Sequence, residues 1–173
     1  FASGAGGFDT TDGSLSMMVQ ASPELFIEQL LIQDAGDYTL SGVGTAATNA
    51  SVAASIFITV LEVNGQGIVP VIIPGNLSVT PSGGDYNVAD DGAGSAILWS
   101  GDALLDIGAV VQNATKINFA MDNELVVNSE DGTTARIQKK TLGGTSITVI
   151  PEPVSLALLA AGLLLASRHR RQV

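Results

Sequence analysis

Residues 115–127 read TKINFAMDNELVV. Ile117, Phe119, Met121, Leu125 and Val127 share one parity, opposite Lys116, Asn118 and Glu124. A period of two sends successive side chains to opposite faces, so this stretch predicts a half-buried β-strand with one apolar side. An amphipathic helix would instead need its apolar residues three and four apart.

The same signal recurs in both directions along the chain. Downstream, Ala135, Ile137 and Lys139 alternate with Arg136, Gln138 and Lys140; Gly143-Gly144 breaks the pattern and Ile147–Ile150 closes it. Lys139 and Lys140, near Arg136, read as the exposed face of a strand. Upstream, Ile97-Leu98-Trp99 places the single tryptophan in an apolar run, which predicts a core position, and Gly101-Asp102 predicts a turn. The stretch 74–94 reads as loop with one short strand at Leu77–Thr80. Pro70 demotes Ile68–Ile73 to an edge strand, because proline cannot donate to a ladder.

Further upstream, Asn64-Gly65 is a tight-turn signal. It follows Val52–Val63, which is apolar on both faces and therefore predicts a strand buried between two layers. Glu24–Gln33 (ELFIEQLLIQ) and Tyr38-Thr39-Leu40 read as the arms of a hairpin turning at Asp34-Ala35-Gly36-Asp37. Leu15, Met17 and Val19 alternate with Ser14, Ser16 and Met18. Residues 1–13 (FASGAGGFDTTDG) lack a period and read as a flexible Gly-rich lead. About nine short strands with frequent turns predict an all-β fold over residues 14–150, an antiparallel β-sandwich with a jelly-roll-like arrangement.

Composition excludes several functions. The net charge of −10 comes from 17 acidic against 7 basic residues. Such a balance argues against nucleic-acid partners, since phosphate binding needs basic side chains that release counterions. Cysteine is absent, which removes disulfides, thiolate metal sites and cysteine nucleophiles. The one histidine, His169, lies in a basic tail, so a Ser-His-Asp triad or a multi-histidine zinc site is hard to build. These gaps point to a non-enzymatic protein.

The end of the chain carries the most specific signal. Pro151-Glu152-Pro153 precedes Val154–Ser167 (VSLALLAAGLLLAS), an uncharged run, and Arg168, His169, Arg170 and Arg171 follow directly. Pro153 suits a first helical position, Glu152 the positive end of the helix dipole, and the arginines its negative end. A helix of this length rises about 21 Å, short of a hydrocarbon core about 30 Å thick. Snorkelling arginines and local thinning offset part of that mismatch. We therefore read residues 154–167 as a short apolar membrane helix, with the arginine cluster held on the cytoplasmic side. No basic or apolar leader opens the chain at Phe1, so an export signal is expected to have been removed or to lie upstream.

Pro-Glu-Pro, short apolar helix and Arg-rich end, in that order, resemble the PEP-CTERM sorting signal of Gram-negative bacteria. The resemblance covers residues 151–171, within a sorting signal spanning 151–173. It implies that Pro151, Glu152 and Pro153 form the motif recognised by exosortase, a membrane protease that removes the helix. It further implies that Arg168, Arg170 and Arg171 act as the stop-transfer cluster. The protein would be anchored transiently in the inner membrane and then reach the cell surface or extracellular matrix, with a role in adhesion, biofilm or envelope structure. Exopolysaccharide or further copies of the chain are the partners expected there.

The body admits two other readings. Asp85, Asn87, Asp90 and Asp91 form an oxygen-rich loop of the kind calcium favours, although their spacing fits no EF-hand and better suits a solvated turn. This gives the alternative of a calcium- or carbohydrate-binding surface module, with Trp99, Tyr38 and Tyr86 as the aromatic residues able to stack on a sugar. A carboxylate-dependent secreted hydrolase is the remaining alternative, but no feature selects a catalytic pair among the acids. Asn49, Asn76 and Asn113 each begin an N-x-Ser/Thr triplet, a pattern common by chance in so Ser/Thr-rich a chain.

Overall fold

The structure, a computed structural model, describes residues 2–139 and 145–151. It is all-β. The strands are β1 (Ala2–Gly4), β2 (Gly7–Gln20), β3 (Ile27–Ser41), β4 (Asn49–Val63), β5 (Gln66–Asn76), β6 (Ser78–Thr80), β7 (Asp85–Asn87), β8 (Gly94–Asp106), β9 (Ala114–Ser129), β10 (Thr134–Lys139) and β11 (Ser146–Pro151). One turn of 3-10 helix spans Ser82–Gly84.

The pairing obeys a simple rule. β1 pairs with β10, β2 with β9, β3 with β8 and β4 with β7, all antiparallel. The chain thus runs out, reverses around β5 and β6, and returns alongside itself as one long double ribbon. The ribbon then wraps, so that β10 also pairs with β3 and β9 with β4. Two sheets result, one ordered β1-β10-β3-β8-β6 with β11 beside β3, the other β2-β9-β4-β5 with β7 beside β4.

The inward faces of the two sheets make the core. In β9 it is the predicted set, Ile117, Phe119, Met121, Leu125 and Val127, that is buried. Two apolar clusters form, one around Ile32, Ile56, Ile58 and Phe119, the other around Tyr38, Val52, Tyr86, Trp99 and Ile137. A polar belt separates them. Asp34 of β3, only 2% exposed, receives the Lys139 ammonium from β10 and the Thr145 hydroxyl at 3.2 Å. Lys139 also donates to Asn123 Oδ1 on β9, so this belt ties one sheet to the other.

Turn chemistry and edges follow the sequence closely at β4–β5. Asn64 and Gly65 have φ of 48° and 74°, the paired left-handed conformations of a two-residue hairpin turn. β5, with Pro70, is an edge strand as predicted.

Elsewhere the structure corrects the reading. The Gly-rich residues 1–13 were expected to form a loose lead; instead β1 and the first half of β2 lie there, because Gly7–Gly13 pairs residue for residue with Asn123–Ser129 of β9. Asp34-Ala35-Gly36-Asp37 is no turn but the middle of β3. Gly36 is needed for space, since a Cβ there would lie 2.6 Å from the Trp99 ring and 2.0 Å from the Gln138 carbonyl oxygen. Gly101-Asp102 likewise lies within β8, opposite Asp34 and Gln33. β4 is buried on one face only, leaving Phe57 45% exposed on the other, because among the described residues no third layer covers that sheet. Lys139 turns inward rather than out, following the parity of Ala135 and Ile137, while Lys140 lies outside the described residues.

Candidate functional site

The loop leaving β7 brings together three of the four residues singled out for calcium. Asn87 Oδ1 accepts from the backbone N–H groups of Ala89 and Asp90 at 3.1 and 2.9 Å, and its amide donates to Asp90 Oδ2 at 2.9 Å. Asp91 Oδ2 accepts from Asn87 N at 2.8 Å, and its Oδ1 from the Ser82 hydroxyl at 3.2 Å. The oxygens that a cation would require are therefore closing the turn, as Asn and Asp side chains commonly do. Asp85 stands apart, on β7 opposite Ser51. Among the described residues, no group of three or more His, Asp or Glu side chains is placed to hold a metal ion.

Beneath this loop, Tyr86 stacks on Tyr38 with ring centroids 3.9 Å apart and planes 7° from parallel. Burial pushes the Tyr86 phenol well above the usual tyrosine range, and Tyr38, Asp85 and Asp91 add to that shift. Burial, then Asp91, raises Tyr38 as well. Trp99 is also enclosed, and Tyr86 Oη and Trp99 Nε1 are buried with no hydrogen-bond partner among the described residues. All three aromatic residues considered for sugar stacking are thus internal.

A carboxylate patch that no local sequence pattern signals lies on the outer face of the β2-containing sheet. Asp12 of β2, Glu124 of β9 and Ala53 of β4 are direct cross-strand neighbours, and Ser14, Asp122 and Ser55 form the same-face rung two residues along. Asp12, Ala53, Ser55, Asp122 and Glu124 line a shallow depression of about 310 Å³ with Asn123. Directly opposed side chains stand roughly 5 Å apart at Cβ, so Asp12 and Glu124 form a like-charge pair on small neighbours. Only the register, joining residues far apart in sequence, reveals it.

Of the sorting motif, Pro151 closes β11, opposite Ile27. Glu152, Pro153, the segment Val154–Ser167 and the arginines Arg168, Arg170 and Arg171 lie outside the described residues. Among the described residues, no helix is long and apolar enough to cross a membrane.

No family model matches this chain, and no curated protein matches it. Among solved structures, it is similar to the infectious bursal disease virus Gx strain at 10% identity and a TM-score of 0.19, over 95% of this chain and 51% of that one. The VP2 subviral particle of the same virus gives 12% identity and 0.21, over 93% and 49%. The Gt strain gives 11% and 0.21, over 95% and 50%. The chain spans about half the length of these viral proteins, and similarity at this level carries no functional argument.

Proposed function

We propose that this chain is an exported, non-catalytic surface or matrix protein, sorted through its C-terminal segment by an exosortase-type membrane protease. The observation that carries the reading is the order of three unlike features within 151–171: Pro151-Glu152-Pro153, the apolar run Val154–Ser167, and Arg168, Arg170 and Arg171. On this reading the apolar run 154–167 serves as the membrane segment that holds the protein in the inner membrane until cleavage.

The body suits this role. Its strand order, β1-β10-β3-β8 facing β2-β9-β4-β5, supports a jelly-roll reading, a fold held together by ladders and core rather than by disulfides. The acidic surface favours solubility outside the cell. Because β11 ends on Pro151, the last strand of the body leads straight into the recognition motif. Exopolysaccharide and further copies of the chain are the partners available at that location.

The test is the intact mass of protein recovered from the surface or medium of its native host, for the wild type and for a variant with Pro151, Glu152 and Pro153 replaced by alanine. The wild type should lack the residues beyond the motif, and the variant should stay unprocessed in the inner membrane. A wild-type mass that retains Arg168–Arg171, or normal release of the variant, overturns the proposal.

A further inference from the structure

The two edges of the β2-containing sheet differ. β5 carries Pro70 and Pro74, which block pairing. β2 has neither proline nor lysine, and β9 is its ladder partner along all 14 residues. Ala21 N donates to Thr115 O at 2.8 Å, just past the Gln20–Lys116 pair, so odd-numbered residues of β2 point their backbone groups at β9. The even-numbered residues Asp12, Ser14, Ser16, Met18 and Gln20 therefore turn theirs to the opposite edge, which is open among the described residues.

The side chains agree. Leu15 and Met17, 39% and 40% exposed, stand on the inward face, in line with Val19, which packs on the core. They continue the core face past the point where the opposite sheet covers it. Residues 13–19 are also uncharged in a chain of net charge −10.

We propose that a second copy of this chain occupies the open edge, β2 against β2 about a two-fold axis at Ser16. An isologous antiparallel pair must set each residue opposite one of the same parity. Centring on Ser16 sets Leu15 opposite Met17 and Gly13 opposite Val19, and gives each Asp12 carboxylate a Gln20 amide. Centring on Asp12 would oppose two carboxylates, and centring on Ser14 would set Asp9 against Val19. The inward apolar pairs then bury one another, and the sheet runs on as β5-β4-β9-β2-β2-β9-β4-β5 across the dimer. This inference is independent of the sorting reading.

The absence of cysteine makes a clean test, on the full chain. Residues facing each other in a hydrogen-bonded antiparallel pair have Cα atoms about 5.5 Å apart, within disulfide reach. Ser16→Cys should oxidise to a dimer of twice the monomer mass far faster than Val69→Cys, placed on β5. An equimolar mixture of Ser14→Cys and Met18→Cys should give mainly the mixed dimer. Adding Met17→Lys to Ser16→Cys should suppress the cross-link while the circular dichroism of the sheets persists. Cross-linking of Ser16→Cys no faster than Val69→Cys, or a monomer throughout a sedimentation concentration series, overturns the proposal.

Discussion

Lys139 of β10 donates its ammonium to Asp34 of β3, an acid whose side chain is fully enclosed. The pair sits where the two apolar clusters meet, and Asn123 of β9 takes a second bond from the same ammonium. Burying a carboxylate without its cation is costly, whereas exchanging both partners for apolar residues is often neutral. Lys139→Met is therefore expected to lower stability by about 3–5 kcal/mol. Asp34→Leu combined with Lys139→Met should recover most of that loss. Urea unfolding of the three proteins measures both, and equal losses in the single and double variants would count against a charge-based cause.

Gly36 beside Trp99 makes a second, sterically based prediction. A methyl group at residue 36 would meet a backbone carbonyl at 2.0 Å, and a backbone cannot swing aside as a flexible side chain can. Overpacked cores typically lose about 1–3 kcal/mol, occasionally more. Gly36→Ala should reach at least that range, with altered tryptophan fluorescence, whereas Gly13→Ala, where nothing lies near the new Cβ, should leave the fluorescence unchanged. Similar stability and emission in both variants would refute the close approach.

These two sites also show what the sequence reveals and what it hides. The alternation in 115–127 reports burial directly, since a strand covered on one side must expose the other, and β9 is as the pattern predicts. Asp34-Ala35-Gly36-Asp37 looks like a turn because its residue types are those of turns. Their real causes are a lysine over a hundred residues away and a tryptophan on the neighbouring strand, neither visible locally. Phe57 misleads for a related reason: an apolar residue on each face suggests two covering layers, and among the described residues only one packs on that strand. The Asp12–Glu124 pair depends wholly on register. The loop at Asn87, Asp90 and Asp91 is the reverse case, where short-range turn chemistry was legible and accounts for the geometry found.

Tyr38 and Tyr86 are the only tyrosines, so their titration can be followed without interference. Burial raises both phenols above the ordinary range, which means the folded state holds its protons more tightly than the unfolded chain. The sign follows by linkage: the contribution is complete below the ordinary tyrosine pKa and is lost as pH rises above it. Ultraviolet difference absorbance in an alkaline titration should show no phenolate while the protein stays folded, then both ionising together with unfolding. Ionisation of either ring in the folded protein near the ordinary pKa would contradict the stacked, buried pair.

Glu130 shifts in the opposite direction. The Thr45 backbone N–H donates to its Oε2 at 2.6 Å, and the hydroxyls of Thr45 and Thr48 add bonds at 3.0 and 3.1 Å. The backbone bond is the largest cause holding its pKa below the usual glutamate value, against a smaller desolvation effect that raises it. A depressed carboxylate stabilises the fold above its unfolded-state pKa, and that stability disappears as pH falls through the folded value. Glu130→Gln keeps one acceptor oxygen and removes the charge. The melting temperature of the variant should therefore lie below that of the wild type at neutral pH, and the gap should close as pH drops beneath the ordinary carboxylate range. A gap that stays constant from neutral to acidic pH would mean that the shape of the glutamate, rather than its charge, holds the loop between β3 and β4.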